Sequence, residues 1–256
     1  MNLNLDGRQV LVAGASQGIG AAIAEAFLFE GAKVTISARN QDRLNQTEQR
    51  LNAGYNDNVK AIKADLAVGQ EIDMVLNLCE TLDILVVNYG ATDSEPGFET
   101  PDLDWHRLIG ANLSGPARLA KSVAKKMVKS EGIRKVILFI GSIAGREAVG
   151  APIAYSVGKS GLRVLTKIMA RELAAKGIRV NLLSPGNVIF EGGRWEKKLN
   201  LKPTKIRKLI KDTVPMNRFG TPEEIASVAT FMCSDRASFM TGADVVVDGG
   251  QSVSFI

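Results

Sequence analysis

The feature that most restricts the fold is an alternation kept up along nearly the whole chain. Apolar runs of strand length recur at 9–13, 33–37, 59–64, 84–87, 135–140, 179–183 and 244–247, with stretches of helical periodicity at 19–30, 41–53, 102–130, 155–176 and 222–234. Most of the runs are rich in Val, Ile and Leu and lack a polar residue at every second place, as strands covered on both faces require. Strands of that kind separated by helices predict an α/β fold: a doubly wound, mostly parallel seven-stranded sheet with helices on both faces. Capping chemistry marks the same boundaries. Thr221-Pro222-Glu223-Glu224 offers a hydroxyl at the N-cap, proline in the first turn and glutamate at the third position, and Thr100-Pro101 repeats the opening. Pro116 falls inside the long third helix and should kink or split it.

At 256 residues and 45% hydrophobic content the chain has material for one core, and no repeat or linker divides it, so 1–256 reads as a single domain. The segment 189–215 breaks the rhythm. It is longer than the usual strand–helix connection, contains Gly192-Gly193 and Trp195, and spaces Ile206, Leu209 and Ile210 as a helix would, which predicts a substrate lid. The net charge of +5 resides there too. Residues 191–211 hold eight of the 32 basic residues (Arg194, Lys197, Lys198, Lys202, Lys205, Arg207, Lys208, Lys211) and two of the 27 acidic ones, leaving 24 against 25 elsewhere. So local an excess suits recruitment of an anion, or a solvated helix, better than a nucleic-acid surface. Cys79 and Cys233 are too few and too far apart for a disulfide framework or metal cluster, no apolar run reaches eighteen residues, and MNLNLDGRQV has no signal-peptide pattern. A cytoplasmic protein without metal, membrane or nucleic-acid partner is expected.

Directly after the first strand stands Gly14-Ala15-Ser16-Gln17-Gly18-Ile19-Gly20, opening a helix. Gly14 suits the tight turn, Gly18 a close backbone approach to phosphate and Gly20 close helix–strand packing, so a dinucleotide's pyrophosphate fits the helix N-terminus. After the second strand the chain reads Ser37-Ala38-Arg39-Asn40. It offers no carboxylate for a ribose 2′-hydroxyl, whereas Arg39 offers a planar fork for a 2′-phosphate, which predicts NADP(H) in preference to NAD(H). Further on, the spacing of Tyr155 and Lys159 puts both on one helix face, a turn apart. Lowering a phenol from about 10 by three units takes about 4 kcal/mol, which one cation about 4 Å away supplies at an effective dielectric near 20. Ser142, reached through Gly141 from the strand 135–140, lies where open α/β sheets bind ligands.

With these residues in place the sequence resembles the short-chain dehydrogenase/reductase family over essentially its full length. The matching motifs are Gly14-xxx-Gly18-Ile19-Gly20, Asp65 in Ala64-Asp65-Leu66, Asn88-Tyr89-Gly90, Asn112 in Ala111-Asn112-Leu113, Gly141-Ser142-Ile143-Ala144-Gly145, Tyr155 with Lys159, Pro185-Gly186, and Thr241-Gly242 with Val247-Asp248-Gly249-Gly250. The resemblance implies a Rossmann fold and a hydride-transferring oxidoreductase acting on a carbonyl or secondary alcohol. Tyr155 would be its acid or base, Lys159 would hold the nicotinamide ribose, Ser142 would bond the carbonyl and Asn112 would anchor a water relay. Asp65 and Leu66 would flank the adenine, while Asn88, Gly90, Pro185, Gly186 and the backbone of Val188 would line the cofactor. It also implies a homotetramer built on the long third and fourth helices, with the apolar tip of 252–256 helping to pack it. Among its departures, Ala13 stands where the family usually has Thr, Val87 and Tyr89 replace residues of Asn-Asn-Ala-Gly, Gly141 replaces a frequent Ser, and Phe190 stands at a usual Thr that contacts the cofactor. The family includes 3-oxoacyl-carrier-protein reductases and sugar dehydrogenases, so the carbonyl substrate is expected to be a small molecule or carrier-bound, and the basic segment adds an anionic group. The rival reading is a non-catalytic dinucleotide-binding regulator of the same fold. Trp195 is read as a sugar-stacking ring or a lid staple, and His106 as a capping or packing residue.

Overall fold

A computed structural model describes residues 2–55, 58–66, 68–94, 100–130 and 134–254. Seven strands, β1 (Gln9–Ala13), β2 (Lys33–Ala38), β3 (Val59–Lys63), β4 (Ile84–Val87), β5 (Lys135–Ile140), β6 (Ile178–Pro185) and β7 (Asp244–Val247), form one sheet in the order β3-β2-β1-β4-β5-β6-β7. Every pairing is parallel. The order reverses between β1 and β4, and the carboxyl ends of these two strands open the crevice in which such sheets bind ligands.

Side-chain alternation decides the layering. Val10 and Val12 of β1, with Val86 and Leu138, join one core beneath α1 (Gly18–Phe29) and α9 (Pro222–Cys233). Leu11 and Ala13, with Val87 and Phe139, join the other, beneath α5 (Gly115–Lys129) and α6 (Ile153–Leu173). Each full burial of such a side chain contributes about 1.5–3 kcal/mol, so both faces must be covered for the sheet to persist. The expected capping box at Thr221 and Glu224 is present.

The third expected helix is three pieces. Asp102–Ile109 is α4, Gly110–Ser114 is a π-helical turn, and α5 follows with Pro116 in its first turn. Pro116 has no N–H to return to the carbonyl of residue 112, so the widened turn forms just before it. Helix α6 ends in a 3₁₀ turn, Ala174–Lys176, closed by Gly177 in the left-handed region. Two helices, α2 (Gln41–Tyr55) and α3 (Gly69–Leu78), complete the first half. The latter had no sequence expectation. Between β6 and α9 the chain forms α7 (Arg194–Leu201) and α8 (Pro203–Thr213) over a small apolar cluster of its own, Ile206, Val214 and Phe219. No helix among the described residues is long and apolar enough to cross a membrane. Positions 255–256 of the C-terminal tip lie outside the described residues.

The β1 turn is tied to β4 by Asn88, whose Nδ2 donates to the Gly14 carbonyl at 2.8 Å. Gly14 has φ +83°, open only to glycine without strain. A Cβ on Gly20 would stand 2.2 Å from the Gly14 oxygen and 2.6 Å from Asn88 Nδ2. Gly20→Ala is therefore expected to cost about 1–3 kcal/mol in urea unfolding, because backbone rather than a flexible side chain would have to yield. An unchanged midpoint would contradict the packing described.

Candidate active site

The crevice holds two adjoining cavities. The larger, about 780 Å³, is lined by Gly14, Ser16, Gln17 and Ile19 of the glycine-rich turn, by Ser37 to Asn40 and Arg43, and by Leu66, Asn88 and Gly90. Its size and the helix N-terminus on its wall fit an elongated dinucleotide: the start of α1 suits an anion at one end, and an arginine rim stands at the other. Arg39 is largely exposed, with its guanidinium 4.0 Å from the Asp65 carboxylate, and Arg43 donates to Gln17 Oε1 at 3.2 Å. Two guanidinium groups thus stand where the sequence reading named one. Arg43 follows Arg39 by four residues in the first turn of α2, a spacing that was available to find it.

The smaller cavity, about 200 Å³, shares Ile19, Asn88 and Gly90 with the larger and brings together Asn112, Ser142, Tyr155, Lys159, Pro185 and Gly186. Ser142 caps the 3₁₀ turn Ile143–Gly145 and its Oγ accepts from Ala144 N at 3.1 Å. With that lone pair engaged, its O–H is free to donate, and it faces the same cavity as the Tyr155 phenol. Lys159 is 5% exposed; its Nζ donates to the Ile140 carbonyl at 2.9 Å and lies 5.8 Å from the Tyr155 ring centre. Asn112, fully buried on the π-turn, donates to the Ala91 and Leu108 carbonyls at 2.7 and 2.9 Å, while its Oδ1 accepts from Ala91 N. The wider turn faces Asn112 toward Gly90, where a Cβ would come within 2.5 Å of its Oδ1 and 3.4 Å of Lys159 Nζ.

The electrostatics correct the sequence arithmetic. Burial pushes Tyr155 above its ordinary value, opposed by the Ser142 hydrogen bond and then by the charge of Arg194. Burial also lowers Lys159 to about 8. In the chain alone the lysine therefore sheds its proton before the phenol does, and one ammonium group does not make this tyrosine readily ionisable. Tyr89, absent from the sequence reading as a site residue, lines the larger cavity with a hydroxyl that has no hydrogen-bond partner among the described residues. Burial first, then the charge of Asp65, pushes it up to about 12.

Residues after β6 divide between the site and its cover. Pro185 and Gly186 line the smaller cavity, whereas Val188 is buried and bridges to Gly220. Phe190 reaches back over the glycine-rich turn, its ring lying where a Cβ on Gly18 would meet it at 2.6 Å. Trp195 packs on Phe219 with ring centres 4.8 Å apart and has Lys198 over its face, which matches the staple reading. His106 is exposed in the last turn of α4.

Residues 14–252 match the family model described as Enoyl-(Acyl carrier protein) reductase. The chain is 31% identical to a 3-oxoacyl-[acyl-carrier-protein] reductase of Aquifex aeolicus, over 98% of this chain and 99% of that one. It is 34% identical to a D-threitol dehydrogenase of Mycolicibacterium smegmatis, over 98% and 95% of the two chains. Among solved structures, L-sorbose reductase from Gluconobacter frateurii, complexed with NADPH and L-sorbose, superposes with a TM-score of 0.92 over all of both chains at 28% identity. The chain belongs to the short-chain dehydrogenase/reductase family. Like its relatives, this short-chain dehydrogenase/reductase is an oxidoreductase acting on alcohol or ketone groups.

The enzyme's buried lysine makes its stability pH-dependent with a definite sign. Because the folded pKa lies below the unfolded one, the unfolded chain binds the extra proton between about pH 8 and 10.5, so stability should rise across that window. The rise attributable to Lys159 is on the order of 3 kcal/mol. Urea unfolding of the wild type and Lys159→Met across this range should show the wild type gaining stability relative to the variant as pH increases. A pH-independent difference would contradict it.

Proposed function

We propose that this reductase interconverts a carbonyl and a secondary alcohol with NADP(H), using Tyr155, Ser142, Lys159 and Asn112. The observation that carries the reading is the convergence of Ser142, Tyr155, Lys159 and Asn112 on one small cavity, which shares Ile19, Asn88 and Gly90 with the dinucleotide-sized one. When bound, the nicotinamide supplies or accepts the hydride. Tyr155 Oη gives a proton to the substrate oxygen in reduction and takes it back in oxidation, and Ser142 Oγ donates to that same oxygen. Lys159 holds ribose hydroxyls, and Asn112, fixed by the π-turn, orders water leading to the lysine. Gly14, Ser16, Gln17, Gly18, Ile19 and Gly20 cradle the phosphates; Asp65 and Leu66 face the adenine; Asn88, Gly90, Pro185, Gly186 and the Val188 backbone follow the rest of the cofactor. The non-catalytic alternative has no support, since no member of the constellation is missing.

Selection of NADP(H) rests on Arg39 with Arg43 at the cavity rim. Residues 189–215 act as a lid whose cations draw an anionic substrate, such as a 3-oxoacyl thioester or a sugar derivative, and Arg194 is the lid cation whose charge reaches Tyr155. Buried reduced Cys79 and Cys233 suit a cytoplasmic enzyme. A homotetramer is supported by apolar side chains left exposed on α4 and α6, among them Leu103, Val164 and Ile168.

Oxidation of NADPH followed at 340 nm with acetoacetyl-coenzyme A, L-sorbose and other carbonyls tests the reading. Tyr155→Phe should lose roughly 10²–10⁴ in kcat while still binding NADPH; full turnover in that variant would refute the assignment. Removing both guanidinium groups (Arg39→Ala with Arg43→Ala) should weaken NADPH by about tenfold or more and leave NADH unchanged. Equal losses for both cofactors would remove the 2′-phosphate argument. Raising ionic strength should raise KM for an anionic substrate, and an indifferent KM would dispose of the lid's electrostatic role.

A further inference from the structure

Asp244, at the start of β7, lines neither cavity, yet its side chain meets three supports of the site. Its Oδ2 accepts from Arg146 Nη1 at 2.6 Å and from Arg163 Nε at 2.9 Å, and its Oδ1 accepts from Ser184 Oγ at 2.6 Å. Arg146 directly follows the 3₁₀ turn capped by Ser142. Arg163 lies one helical turn beyond Lys159 and two beyond Tyr155, on the same face of α6. Ser184 Oγ stands behind the site's floor, 3.0 Å from where a Cβ on Gly141 would be, and Pro185 and Gly186 of the smaller cavity come next in the chain.

One carboxylate thus joins the segment bearing Ser142, the helix bearing Tyr155 and Lys159, and the strand leading to Pro185. The side chains of Asp244 and Arg146 are largely buried, at 16% and 12% exposure. Both guanidinium groups share one oxygen, so without the carboxylate two like charges would face each other in partly desolvated space. Neighbouring Glu147 does not replace it, because its carboxylate accepts the backbone N–H groups of Val253 and Ser254. Nor does the fold depend on this side chain to hold β7, which is paired through its backbone from Leu182–Asp244 to Pro185–Val247.

We propose that Asp244 is a positioning residue: through Arg146 and Arg163 it holds the Ser142 turn in register with the Tyr155–Lys159 face of α6. The inference rests on the catalytic reading above. The test is Asp244→Asn, which keeps the shape and removes the charge, assayed below its melting temperature with NADPH and acetoacetyl-coenzyme A or L-sorbose. A fall in kcat of about tenfold to a hundredfold is expected, since small misplacements at a reaction centre cost that much. NADPH affinity, read by fluorescence titration, should stay within about twofold, and in a Ser142→Ala background the same substitution should cost less than about twofold in kcat, because the group being positioned is gone. An unchanged kcat, a parallel loss of cofactor affinity, or an equal loss in the Ser142→Ala background would each overturn the proposal.

A measurement independent of turnover is the Ser142 Oγ–Tyr155 Oη separation in crystals with NADPH, expected within hydrogen-bond reach in the wild type and beyond about 3.5 Å in Asp244→Asn. An identical separation would overturn it. If Asp244→Asn does not fold, Arg146→Gln, which leaves the Asp244–Arg163 pair intact, carries the same expectations and the same refutations. Failure of the catalytic reading itself would show separately, as undiminished turnover in Tyr155→Phe with wild-type Asp244.

Discussion

The arrangement of the site depends on one expensive act, the burial of the Lys159 ammonium group at the end of an otherwise apolar strand. A charge taken out of water is tolerated only where hydrogen-bond partners receive it, and here the Ile140 carbonyl is the partner that fixes the side chain. Everything around it is shaped to leave room. Gly90 has no Cβ to strike Asn112, Gly158 lets α6 come close to the π-turn, and Gly145 lets the Ser142 segment lie against the backbone of Lys159. The ends of β4 and β5, the π-turn and α6 converge on this group because these contacts admit little else.

The same burial sets the limits of the chemistry. It pushes the Tyr155 phenol up and the lysine down, so the two groups in the chain alone titrate in the wrong order for the lysine's charge to assist the phenol. The Ser142 hydroxyl and the Arg194 guanidinium, at the start of α7, oppose burial. Proton transfer at neutral pH therefore needs a further favourable charge or hydrogen bond, which in the proposed function arrives with the dinucleotide and with closure of 189–215.

Much of this was legible in the sequence, for reasons that differ from residue to residue. The parallel sheet was readable because strands buried on both faces need unbroken apolar runs, and Ser142, Tyr155 and Lys159 were readable because helical spacing and strand ends fix where side chains converge. The π-turn was not, since Pro116 announces a disruption without saying whether the helix kinks or widens, and only the wider turn explains Asn112. Helix α3 escaped because it is short and opens on Gly69 with no side-chain cap, although Ile72, Val75 and Leu76 carry its spacing. Phe190 was noted only as a missing threonine; its position over Gly18 is a tertiary contact that no local pattern encodes. The Asp244 cluster joins residues 81 and 98 positions apart, beyond the reach of any motif.

The most direct measurement is the ionisation of Tyr155 itself, followed by NMR of carbon-13-labelled tyrosine against pH, with Tyr155→Phe to assign the signal. The account predicts that in the chain alone Tyr155 ionises above the ordinary tyrosine range and that saturating NADP⁺ moves its titration to lower pH. A titration already below that range without cofactor, or one that NADP⁺ leaves where it was, would contradict it.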